Sequence, residues 1–255
     1  MAAMLQDWFE VDTDEGPLRL RRTVHPRARR LRLSVDAGGA RLTWPPGTQP
    51  AQAQRFVRQH AAWLRRKIDE LAPPQGLRTL RVGQPDQLPL RGQSLHLRWR
   101  EGHFPALLQG QDSVQLQLPA HSARPLLLAQ RMLRGFLEAE LRHDAARTLN
   151  RLVPRLGLAP SGLRVRPLKS LWGSLDTHDA ITLDLALALA PPAVAHYVLA
   201  HELAHLRVRN HSPRFWAQVR VLDADCETHR AWLRTHGALL KIELLRLIGG
   251  STTHA

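Results

Sequence analysis

Residues 196–216 read HYVLAHELAHLRVRNHSPRFW, and the spacing of the histidines in this stretch decides how the rest of the chain is read. His201 and His205 are four residues apart, and Glu202 lies between them. On a helix that spacing puts both imidazoles on one face, one turn apart. Two imidazoles so placed can share one zinc ion at about 2.0–2.1 Å each. Glu202 can lean over such an ion without binding it and take a proton from the water it carries.

His211 lies six residues after His205. Six steps of about 100° would turn it roughly 120° off the face of His205, so it can join the pair only if the helix stops. Asn210 supplies the stop, since asparagine tolerates the left-handed conformation common after a helix end. Ser212 and Pro213 then open the next helix, as N-cap and first helical residue. Phe215, Trp216, Val219 and Leu222 form the apolar face of that helix, and Phe215 and Trp216 read as core residues that hold His211 in place. Three histidines and one open position make a catalytic metal site rather than a closed structural one. The competing reading is a helix with ordinary histidines, in a chain that has 14 of them. The helix break before a third histidine favours the metal site. His196 and His143 read as surface or cap histidines.

Working outward, the flanking segments give an α+β fold. GLRVRPL (162–168) and DAITLDLAL (179–187) are candidate strands on either side of KSLWGSLDTHD (169–179), and the remainder of the C-terminal half is helical. Trp172, Gly173 and Ser174 fit a strand flanking the cleft, or equally a packed Trp beside a tight turn. A long amphipathic helix starts near Leu126, after a boundary between Pro119 and Pro125. Before it the chain is β-rich and basic. PLRLRRTV and RRLRLSVDAGGARLTWPP alternate apolar and basic residues with period two, with a turn from Asp36 to Gly39. A single helix is expected from Pro50 to Pro73, and further strands around Gly92 and over SVQLQLP. The expected division is a β-rich N-terminal region over 1–120, a catalytic domain over 121–245 and a flexible tail over 246–255.

The motifs then resemble a known family. YVLAHELAHLRVRNHSPRFW, preceded by Trp172-Gly173-Ser174, a strand and Ala190-Pro191, is similar to the YgjP-like metallopeptidases, which are zincins. The basic N-terminal strands, HAAWLRRKI and the late HRAWLRTHG also fit. The resemblance implies a zincin-like domain with His201, His205 and His211 as zinc ligands and Glu202 as catalytic acid/base. By residue type, Arg230, His229 and Tyr197 are candidate oxyanion donors, although Tyr197 reads first as packing behind the site and Arg230 equally as a surface residue; Trp172, Gly173, Ser174 and Arg230 are the candidate substrate or transition-state contacts. Asp184, Asp223 and Asp225 are the acceptors available to the far nitrogens of the histidines. Leu175 stands where the family usually has Cys, Leu171 where it has Arg, and Asp184-Leu185-Ala186 where it has Asn-Trp-Arg. The WLM proteases, which act on protein–DNA crosslinks, share a similar helix–His–Phe/Trp layout.

Composition bounds the function classes. The net charge of +14 comes almost wholly from arginine, since Lys67, Lys169 and Lys241 are the only lysines. Arg19, Arg21, Arg22, Arg27, Arg29, Arg30 and Arg32 crowd the first strands, where they form a solvated face or bind anions. A peptide or protein substrate leads; a small anionic substrate such as a nucleotide, or a nucleic-acid-associated protease, are the alternatives. Cys226 is the only cysteine, and no stretch is long and apolar enough for a membrane span or secretory signal. The expected location is the cytoplasm.

Overall fold

The computed structural model describes residues 8–36, 39–71 and 79–249. The fold is α+β and forms two compact units, residues 1–77 and 78–255.

In the first unit, β1 (Trp8–Thr13), β2 (Gly16–Val24), β3 (Arg32–Asp36) and β4 (Gly39–Trp44) make one sheet in the order β1-β2-β4-β3. β3 and β4 pair antiparallel, with Asp36 opposite Gly39, as the alternating pattern requires. The period of two sends Val11, Leu18, Leu20 and Leu42 to one face, where Val57 and Leu64 join them in a core. Arg19 and Arg32 are exposed on the other face, and Arg19 lies over the Trp8 ring at 4.6 Å. The single helix expected from Pro50 is two helices, α1 (Pro50–Gln59) and α2 (Ala61–Leu71). The break is at His60 (φ −113°, ψ 12°), whose Nδ1 lies 2.9 Å from the Phe56 carbonyl oxygen. The apolar positions keep helical spacing across this break, so periodicity alone does not reveal it. Pro73, the expected helix end, is outside the described residues.

The second unit begins earlier than the change in sequence character near residue 120. Its first sheet holds β5 (Asp86–Leu90), β6 (Gln93–Gly102), β7 (Ala106–Gln109) and β8 (Ser113–Pro119), in the order β5-β6-β8-β7. The turn between β5 and β6 takes positive φ at both Arg91 (52°) and Gly92 (74°). That is the two-residue hairpin geometry expected of a glycine turn. Leu88, Leu97, Val114 and Leu116 from this sheet share one core with α3 (Pro125–Leu156), which is why these strands go with the helical part.

α3 buries Leu133, Leu137, Leu141, Ala145, Thr148, Leu152 and Leu156, a stripe at steps of four and three residues along one side. Gly157 ends it in the left-handed conformation, and its N–H donates to the Val153 carbonyl. The second sheet orders β10 (Gly173–Leu175), β11 (Ala180–Asp184) and β9 (Gly162–Arg166) as β10-β11-β9. β11 is central and buried at every position, Thr182 and Asp184 included. α4 (Pro192–Ala204) packs against it, and α5 (Pro213–Leu222) and α6 (Cys226–Ile248) pack in turn against α4 and α3. α6 continues through residues 246–248, which the sequence assigned to a tail. Leu247 is fully buried, and Arg246 is held by Glu243 and Asp86, which explains the extra turn. No described helix is long and apolar enough to cross a membrane.

Candidate active site

α4 lies deep in the second unit. Eight of its residues are buried, and Glu202 is among them. Pro191 and Pro192 start the helix cleanly, because a proline at the first helical position loses no hydrogen bond. His201 lies in the last turn. His205 is the C-cap residue and keeps helical dihedrals (φ −65°, ψ −19°), so its ring projects as though the helix continued. The N–H groups of Arg207 and Val208 then bond back to the Ala204 carbonyl, and the chain leaves the helix axis. α5 starts at Pro213 with Ser212 at its N-cap, so His211 sits in the joint, as its spacing demands.

The joint differs from expectation in two details. Asn210 is not left-handed; among the described non-glycine residues only Arg91 and Asp179 have positive φ. Its side-chain oxygen instead accepts the Ser212 N–H at 3.3 Å, a local turn that orients the entry to α5. The Ser212 side chain makes no capping hydrogen bond.

The three rings converge. His201 Nε2 and His211 Nε2 are 3.1 Å apart, and one ligand atom from each of His201, His205 and His211 lies within 4.8 Å of the others. Two nitrogens bound to one tetrahedral ion at 2.0–2.1 Å stand about 3.3 Å apart. The closest pair therefore already has the separation that one ion needs. His205 Nδ1 is 3.0 Å from the Val208 carbonyl oxygen. Only an N–H can face that oxygen, so the lone pair of His205 is left on Nε2. Phe215, fully buried, stacks on the His205 ring at 4.3 Å and meets His201 and His211 edge-on at 4.8 Å. One aromatic ring thus orients all three imidazoles. Burial pushes the His201 imidazole down to about 4, with smaller contributions from His205, His211 and Arg230. His205 is lowered mainly by burial too. Neutral imidazoles at pH 7 are what a metal requires, so a divalent ion fits this donor set.

Glu202 is 5% exposed and sits against β10. A Cβ built on Gly173 would come within 2.6 Å of its Oε1, so the carboxylate occupies space that only glycine leaves open. It accepts the Leu175 backbone N–H. Burial raises its carboxyl to about 7, against the lowering effect of that hydrogen bond. A carboxyl poised near neutrality beside a metal-competent cluster is suited to proton transfer.

A YgjP-like metallopeptidase domain matches residues 29–236. The chain belongs to the YgjP-like metallopeptidase family. It is therefore a hydrolase of metallopeptidase type, and a metal ion is part of its chemistry. No curated protein gives a significant match. Among solved structures it is similar to the metallopeptidase zymogen abylysin of Pyrococcus abyssi, with 28% identity and a TM-score of 0.33 over 36% of this chain and 92% of that one. The zymogen of jannalysin from Methanocaldococcus jannaschii is similar at 19% identity and a TM-score of 0.32, over 36% of this chain and 88% of that one.

A cleft of about 290 Å³ opens beside Glu202 in this YgjP-like chain. Trp172, Gly173, Tyr197 and Arg230 line it with His201. Ser174 is not among its lining residues; it is opposite Thr182 in the pairing of β10 with β11. Arg230 lies over the Trp216 ring at 4.7 Å. Burial pushes the Tyr197 hydroxyl up to about 12, so it stays protonated. His229 does not line the cleft, and its Nδ1 is 2.8 Å from the Asp223 carboxylate. Asp223 therefore supports His229 and not a histidine of the cluster. His196, on α4 itself, is half-buried, with Nε2 3.4 Å from the Leu222 carbonyl oxygen.

Asp184 serves a different residue, one that the sequence reading missed. Its Oδ2 is 2.5 Å from Lys241 Nζ, and its oxygens accept the N–H groups of Leu168 and Ala186. Lys241 also donates to the carbonyls of Leu168 and Leu171 and sits 4.5 Å over the Trp172 ring. The pair pins both ends of the segment that delivers Trp172 and Gly173 to the cleft. A signal was present: Lys241 is one of three lysines in a chain that otherwise uses arginine. A compact ammonium with three donors fits a pocket of two carbonyls and a carboxylate, where a planar guanidinium does not.

Proposed function

We propose that the chain is a zinc-dependent peptidase in which His201, His205 and His211 hold the ion and Glu202 is the catalytic base. The convergence of the three ring nitrogens within 4.8 Å, next to a buried glutamate, carries this reading. An all-imidazole donor set suits zinc among the common divalent ions. Bound there, zinc supplies Lewis acidity and lowers the pKa of water toward 7. Glu202 takes the proton of the attacking water and returns it to the leaving amine. Gly173 and the Leu175 N–H hold that carboxylate in place, so the proton is handled at a fixed position. The Val208 carbonyl keeps the His205 tautomer with Nε2 unprotonated. β10 is the edge strand of its sheet and runs beside Glu202, which offers an extended peptide a backbone to pair with. All of this machinery falls within residues 121–245.

Zinc-loaded protein and its Glu202→Ala variant, incubated with one mixture of peptides and nucleoside triphosphates and read by mass spectrometry, test the reading. Peptide products that vanish in the variant support it. Intact peptides, with nucleotide products that depend on Glu202, overturn the peptidase assignment.

A further inference from the structure

We infer that the cleft beside Glu202 selects peptides with an acidic side chain close to the bond to be cut, and that Arg230 and Arg234 select it; this rests on the peptidase reading above. The two arginines are four residues apart on α6, hence neighbours on one helical face. Both line the same cleft as His201 and Glu202. Glu202 is the sole carboxylate among the lining residues, and it is turned into the wall against Gly173 and Leu175. The mouth is thus cationic, and its lining offers the two arginines no acidic partner.

Exposed arginines are common in this chain, and most need no ligand to explain them. These two differ in where they converge. Arg230 is held over Trp216, and Trp216 in turn meets the His201 ring at 5.7 Å, so the guanidinium has a fixed place near the cluster. Its one ion-pair partner among the described residues, Glu227, is 3.5 Å away and more than half exposed, a pair that neutralises little of the charge. Arg234 is exposed and has no ion pair among the described residues. Leu171 is 55% exposed at the same cleft, and Trp172 and Leu233 complete an apolar wall. A side chain entering here has its stem covered by apolar groups and its end among guanidinium N–H donors. A carboxylate matches those donors two at a time. A lysine or arginine in the same place would meet two like charges, which selects against it.

Binding separates this inference from catalysis. The zinc-loaded Glu202→Gln protein is titrated with a fluorescein-labelled octapeptide carrying two glutamates, and with its twin carrying two glutamines. We expect the acidic peptide to bind about tenfold tighter, with the ratio shrinking at high salt. Arg234→Glu should abolish or invert the preference, and Arg234→Lys should keep most of it, provided both variants melt as the parent does. Equal binding of the twins, no binding of the acidic one, or an unchanged ratio in Arg234→Glu overturns the inference. Cleavage of a mixed peptide pool by the wild type tells the two failures apart. Peptides cut without acidic enrichment sink the selectivity alone, whereas no cleavage of any peptide sinks the peptidase reading itself.

Discussion

Gly173 lies against Glu202 so closely that a methyl group at position 173 would stand 2.6 Å from the carboxylate oxygen and 2.8 Å from its Cγ. The strand and the helix that carry these residues approach each other through the missing side chain. Gly173→Ala must therefore displace Glu202. A shift of about 1 Å at a catalytic group costs roughly 100-fold in rate. We expect kcat to fall by about that factor while zinc content, measured on the same sample, stays at the wild-type level. A Gly173→Ala enzyme with normal kcat would show that Glu202 has slack the structure does not suggest.

Phe215 touches all three histidine rings and is fully buried. Truncating a buried phenylalanine typically costs about 3–5 kcal/mol. Phe215→Ala should lose about that much stability in urea denaturation of the metal-free protein. It should also bind zinc more weakly, because the imidazoles are no longer oriented. Phe215→Leu, which keeps most of the volume, should recover much of the stability and less of the zinc affinity. Equal recovery of both would mean that Phe215 supports the fold without orienting the rings.

Lys241 and Asp184 make a pH-dependent prediction. Burial holds the Asp184 carboxyl above its ordinary value of 3.8, against the pull of Lys241 and two backbone N–H groups. A carboxyl whose folded pKa exceeds its unfolded one costs stability as pH rises past the unfolded value, and acidification relieves that cost. Lys241→Met leaves the charge buried and unpaired, which costs about 3–5 kcal/mol at pH 7. The deficit should narrow between pH 7 and pH 5 as Asp184 takes up a proton. Denaturation of both proteins at the two pH values checks this, and a deficit that stays constant contradicts it.

Much of the site was legible because its grammar is local. The step from His201 to His205 is one helical turn, and Ser212-Pro213 announces the new helix that frees His211. What stayed hidden depends on contacts distant in sequence. The Lys241–Asp184 pair spans 57 residues, and no periodicity points from one to the other. Asp184 and Asp223 were reasonable acceptors for the histidines by type. Yet Asp184 is claimed by Lys241 and Asp223 by His229, while His205 uses a backbone carbonyl three residues on. A carbonyl carries no residue-type signal. The parallel pairing of β2 with β4 and of β6 with β8 is likewise set by tertiary packing rather than by turn sequence.

Metal removal should be visible in stability. A ligand at 100 times its Kd stabilises the folded state by about 2.7 kcal/mol. Chelation should therefore lower the melting temperature, and added zinc should restore it. Binding should weaken on acidification, because protons compete for the same ring nitrogens. His211→Ala should remove most of the zinc-dependent shift. If the shift survives that substitution, the ion is bound elsewhere.

On the proposed mechanism, His201, His205 and His211 share one zinc ion. X-ray absorption at the zinc edge, on protein loaded with one equivalent, tests it most directly. Three imidazole nitrogens at about 2.0–2.1 Å, completed by an oxygen from solvent, are expected. Two or fewer imidazoles, or a spectrum unchanged in His211→Ala, would contradict it.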